Sequence, residues 1–111
     1  MYCKEGKVFL MKKAEAILKA KELLKQMTTE EKVAQMIQVS YVNVSKEEAL
    51  RWASIGAGSF LHVLGEDARE IQRAAMKSRL GIPVIFGIDA IHGHGLNMDA
   101  TIFPSQLAVA C

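Results

Sequence analysis

The sequence predicts an α/β fold built on parallel strands, and three observations predict it. The run Val84-Ile85-Phe86-Gly87-Ile88 opens at Pro83 without polar alternation, as a strand covered on both faces does. A second apolar run, residues 58–63, lies between Gly56 and Gly65. Stretches with apolar residues at helical spacing flank both runs, and alternation of strand and helix implies a doubly wound sheet or a (β/α)₈ barrel. A complete barrel takes about 250 residues. The 111 residues therefore hold two or three β/α units behind a helical N-terminal lead-in.

Taken in order, residues 13–27 carry Ala14, Ile17, Leu18, Ala20, Leu23 and Leu24 at three-and-four spacing, which predicts a helix with one buried stripe and lysines opposite. Thr28 followed by Glu31 reads as a capping box, opening a second helix that carries Val33, Met36 and Ile37. Residues 37–44 are β-branched and aromatic enough for a short strand, although the helix can also run on into them. Ser45 and Glu48 repeat the capping pattern before Ala49, Leu50 and Ala53. Residues 66–80 form a helix with Ala68, Ile71, Ala75 and Met76 on one side, and Gly81 is placed to end it in a left-handed cap. Pro104 sits where a first-turn proline starts a last helix, with Leu107, Ala108 and Ala110 turned inward. That helix is uncapped at Cys111, so residues 1–111 are expected to be the N-terminal part of one domain whose remainder covers the open sheet edge.

Composition excludes several classes. Half the residues are apolar and 23% are charged, as in an ordinary globular chain. A net charge of +2, with both signs interspersed, provides no basic face for nucleic acid. Cys3 and Cys111 lie at opposite ends, with neither disulfide-framework nor zinc-type spacing. The first twenty residues lack the apolar stretch of a secretory signal, and no window reaches membrane-spanning length. No membrane is expected, and location stays unassigned, cytoplasmic by default. Gly56-x-Gly58 and Gly93-x-Gly95 do not complete a phosphate-binding pattern, so no nucleotide or other cofactor is expected.

The residues able to carry chemistry gather behind the last strand, in Gly87-Ile88-Asp89-Ala90-Ile91-His92-Gly93-His94. Asp89, just past the apolar run, is either a turn residue or a carboxylate that accepts hydrogen bonds from two neighbouring sugar hydroxyls. His92 and His94 have the H-x-H spacing of some metal sites, but imidazoles bonded to loop carbonyls or carboxylates explain them better, and no metal is expected. His62, ending the earlier strand, can point into the same site, but a lone strand-end histidine is more often simply a satisfied polar group. Glu66 and Asp67 suit a helix start, while Arg69, Arg73, Lys77 and Arg79 read as that helix's solvated face, with Glu70 available to Arg73.

The segments Leu24-Lys25-Gln26-Met27-Thr28-Thr29-Glu30-Glu31-Lys32-Val33-Ala34-Gln35-Met36, Gly58-Ser59-Phe60-Leu61, Arg79-Leu80-Gly81-Ile82-Pro83, the Asp89 loop and Ala100-Thr101-Ile102-Phe103-Pro104 occur in one order. Together they resemble the N-terminal part of family 3 glycoside hydrolases, the β-glucosidase and exo-glucan glucohydrolase group. The resemblance implies a partial (β/α)₈ barrel, followed in the complete enzyme by an α/β sandwich domain. It also implies retaining hydrolysis that releases glucose from the non-reducing end of β-glucosides or β-glucan oligosaccharides. The family's nucleophile and acid/base come later than the segment matched here, so no catalytic residue is expected in this chain. Of its glucose-binding residues only one maps here, onto Asp89. Two alternatives stand beside it. In a metal-dependent amidohydrolase the first His comes two residues after the strand-end Asp, whereas His92 comes three after Asp89. A non-catalytic α/β module that binds sugar or a partner is the other.

Overall fold

The computed structural model describes residues 13–111 and, before them, only the backbone of two short strands, β1 (Cys3–Lys4) and β2 (Lys7–Val8), paired antiparallel. The chain continues through α1 (Lys13–Gln26), α2 (Thr29–Gln35), β3 (Gln38–Ser40), a 3₁₀ turn over Tyr41–Asn43, α3 (Lys46–Ile55), β4 (Ser59–Leu61), α4 (Gly65–Met76), β5 (Ile85–Gly87) and α5 (Gln106–Ala110). β3, β4 and β5 form one parallel sheet in sequence order, with Val39, Phe60 and Phe86 opposite one another. The fold is thus α/β with parallel strands, as predicted.

Burial is one-sided. Val39 and Phe60 point into a core completed by Ala49 and Ala53 of α3, Ile71 and Ala75 of α4, and Ala57, Val63 and Val84 from the connections. The alanines let α3 and α4 lie close against each other and against the sheet. On the opposite face Gln38, Ser40, Ser59, Leu61, Ile85 and Gly87 are at most half-buried, and Ile85 is 71% exposed. This corrects the expectation of a last strand covered twice: among the described residues both Ile85 and Phe86 remain exposed.

The helices follow their local signals, with three corrections. The capping box forms completely: the Thr28 hydroxyl accepts from the Glu31 amide at 3.2 Å, and the Thr28 amide donates to Glu31 at 2.8 Å. In α2, Ala34 is the buried residue, and Val33 and Met36 are exposed. α1 buries none of its residues; Ile17 and Leu24 rim an open groove of about 630 Å³ with Met36 and Ile82. α4 ends at Met76, four residues short of the expected point, and a turn over 78–81 carries Gly81 at φ +59°. The last helix begins after Ser105, whose hydroxyl accepts from the Ala108 amide at 3.3 Å; Pro104 precedes that cap, and Leu107, Ala108 and Ala110 are exposed. A serine cap satisfies an otherwise orphaned amide, which a proline cannot do.

Two devices join the lead-in to the sheet. Gly58 donates its amide to the Ala34 carbonyl at 3.1 Å, and a Cβ there would lie 2.1 Å from the Gln35 carbonyl oxygen, so only glycine fits this crossing. Arg79, expected on a solvated helix face, instead bonds Glu31 through Nε at 2.8 Å and through Nη2, and the Gln26 carbonyl at 2.8 Å. It thereby ties the end of α1 to the cap of α2.

Arg79, reinforced by the Thr28 amide, holds the Glu31 carboxyl down to about 2. A carboxylate whose folded-state value is depressed supports the fold above its ordinary value near 4.5 and loses that support as the pH falls towards 2. Unfolding followed between those limits should therefore show stability falling more steeply in the parent than in Arg79→Ala, which is weaker at neutral pH. Parallel pH profiles would contradict this account of Glu31.

Candidate active-site face

Parallel pairing brings the carboxyl ends of all three strands to one edge, where α/β proteins place ligand-contacting groups. Ser40, Leu61 and Gly87 end the strands, and the chain leaves them through Tyr41, His62 and Ile88-Asp89.

The sequence-derived candidates divide here. His62 and Asp89 meet: Nε2 of His62 lies 3.2 Å from Oδ2 of Asp89. The imidazole is largely enclosed, its side chain 17% exposed, whereas the Asp89 carboxylate is 69% exposed. His62 also has φ +62°, a left-handed conformation that costs a residue with a side chain on the order of 1–2 kcal/mol. Its amide donates to the Gly87 carbonyl at 3.0 Å, so the residue is fixed to the strand that leads to Asp89.

His92 is exposed and lines a shallow cavity of about 190 Å³ with Asp89, Ile91, Gly93, Gly95 and Leu96. His94 is half-buried, with Nδ1 enclosed and unpartnered. Among the described residues no three His, Cys, Asp or Glu side chains form a cluster able to hold a metal.

The loop's shape comes from its own return. The Phe103 amide donates to the His92 carbonyl at 2.8 Å, bringing the 100–104 segment back onto the His-Gly-His turn. Gly93 has φ +76°, and a Cβ on it would come within 3.0 Å of the Thr101 carbonyl oxygen and 3.1 Å of the Phe103 ring. The two segments are therefore one structural unit, and glycine between the histidines is a steric requirement.

Sequence reasoning missed a charged cluster beside this edge. The Tyr41 hydroxyl donates to Asp67 Oδ2 at 2.7 Å, and Lys46 Nζ lies 2.9 Å from both Asp67 Oδ1 and Glu70 Oε2. Lys46 and the Tyr41 hydroxyl hold the Asp67 carboxyl below its usual range. Asp67 in turn raises Tyr41, and Asp67 and Glu70 raise Lys46. Glu70 is thus engaged by Lys46, and Arg73 pairs with Glu66 at 3.1 Å, which corrects the expected Glu70–Arg73 pair. No local spacing signals contacts between groups more than twenty residues apart. The cluster fixes the exit of β3 against the start of α4.

The edge so built sets an exposed carboxylate against an enclosed imidazole, beside a small cavity, on a parallel α/β sheet. Residues 28–111 match the model of the glycosyl hydrolase family 3 N terminal domain, and the chain belongs to that family. It is 36% identical over 94 residues to a periplasmic beta-glucosidase of Salmonella typhimurium, covering 80% of this chain and 12% of that protein. Among solved structures it resembles the exo-1,3/1,4-beta-glucanase of a Pseudoalteromonas species, with a TM-score of 0.65 and 33% identity, over 78% of this chain and 13% of that one. A single-substitution mutant of the same glucanase matches with a TM-score of 0.64 at 33% identity, covering 16% of its chain. The chain thus spans about an eighth of the length of the curated relative, and the matches do not favour an amidohydrolase.

Proposed function

We propose that this chain forms the first β/α units of a (β/α)₈ barrel in a longer retaining β-glucosidase, and that Asp89 holds the terminal glucose of a β-glucoside or β-glucan oligosaccharide. The observation that carries the reading is the placement of Asp89. It lies two residues past β5, exposed, beside a cavity, inside the family-matched segment. Each carboxylate oxygen has two acceptor positions, so Oδ2 can keep His62 and still accept a sugar hydroxyl, while Oδ1 accepts a second. The consecutive order β3-β4-β5 is that of successive barrel strands, and the bare sheet face is the side a barrel fills with side chains.

Retention needs two carboxyl groups about 5 Å apart, one as nucleophile and one as acid/base. In this reading both belong to later parts of the enzyme, and the 111 residues supply positioning. The α/β sandwich domain and the remaining barrel are its covalent partners. Time-resolved NMR of the anomers released by the intact enzyme should show β-glucose first, and the purified 111-residue chain should release none from an aryl β-glucoside. Turnover by that chain, abolished in Asp89→Ala, would refute the division of labour.

A further inference from the structure

We infer that His62 is a positioning residue: it holds the Asp89 carboxylate in the orientation that receives the sugar, an inference that rests on the reading of Asp89 above. Three features of His62 point this way. Its left-handed backbone is unusual for a residue with a large side chain, and it ends the extended run of β4 at the point where the ring meets Asp89. Its Nδ1 is enclosed without a hydrogen-bond partner among the described residues, an arrangement that a purely structural side chain avoids. Among the described residues, Asp89 Oδ2 lies 3.2 Å from the ring's Nε2.

The exposures assign the roles. The imidazole is enclosed and fixed, while the carboxylate projects into solvent. Left alone, an exposed aspartate samples several rotamers, and each must be abandoned when substrate binds. His62 Nε2 sits 3.2 Å from Asp89 Oδ2, close enough to restrict the carboxylate's rotamers by contact. That contact selects one rotamer before the sugar arrives. The His62 amide on the Gly87 carbonyl fixes the ring's own backbone to the strand two residues before Asp89, so post and carboxylate move as one body.

The test is a double-mutant cycle in the intact enzyme. His62→Gly removes the ring while relieving the positive φ, so its melting temperature should stay at or above that of the parent. It should lower kcat/KM about tenfold, mostly through a higher KM and a weaker inhibition by glucose. His62→Asn, which also tolerates positive φ, carries the same expectation and separates the ring's role from backbone relief. In an Asp89→Ala background neither change should cost anything further. Parental kcat/KM in His62→Gly beside a strongly impaired Asp89→Ala would overturn the positioning role while leaving Asp89 its sugar. Equal losses in both backgrounds would overturn action through Asp89. Parental kcat/KM in Asp89→Ala would instead refute the sugar-binding reading itself.

Discussion

Phe60→Ala should remove most of the stability of this chain. Phe60 is fully buried at the centre of the middle strand, between Val39 and Phe86 in register, with α3 and α4 over it. Truncating such a phenylalanine costs about 3–5 kcal/mol in lost transfer energy and residual cavity. The remaining core residues are alanines, valines and one isoleucine, which are too small to close the gap. Since small domains are stable by about 5–15 kcal/mol, the variant should melt at much lower denaturant or lose its cooperative transition. Phe86→Ala is the internal control: it stands at the same register level on β5 but is 38% exposed, so it should cost clearly less. Equal midpoints for the two variants would mean that the core does not centre on Phe60.

What the sequence made legible was what local physics decides. An apolar run after Pro83, a Thr28/Glu31 box and the apolar side of 66–80 each report a neighbour a few residues away, and each formed. Periodicity in 13–27 correctly signalled a helix, but an amphipathic pattern does not say what covers it, and α1 buries nothing among the described residues. The same limit applies to the last strand, whose Ile85 and Phe86 both stay exposed among the described residues. Contacts between distant positions were illegible: Arg79 on Glu31, and Lys46 on Asp67. Of the site, Asp89 and its loop were readable because polar groups and glycines interrupt an apolar run. The left-handed backbone of His62 left no mark in its neighbours, so its meeting with Asp89 emerged only in three dimensions.

If Asp89 holds the terminal sugar as proposed, Asp89→Ala in the intact enzyme should lower kcat/KM by roughly two to four powers of ten, since two charge-assisted hydrogen bonds would be lost at about 1.5–3 kcal/mol each. The fold should survive. Asp89 is 69% exposed and lies outside the buried cluster, and among the described residues its one ion-pair partner is His62. Unfolding midpoints near the parental value, alongside the kinetic loss, would therefore identify a binding defect. A comparable fall in midpoint and in kcat/KM would instead make Asp89 a structural turn residue.

The most direct measurement compares kcat/KM for a β-glucoside with that for the analogue lacking the contacted hydroxyls, in the parent enzyme and in Asp89→Ala. If Asp89 grips those hydroxyls in the transition state, the parent discriminates strongly and the variant hardly at all, since the interaction is already missing from one substrate. Near-parental kcat/KM of a normally folded Asp89→Ala enzyme on cellobiose, or undiminished discrimination between the two glucosides, would contradict the assignment of this edge to sugar binding.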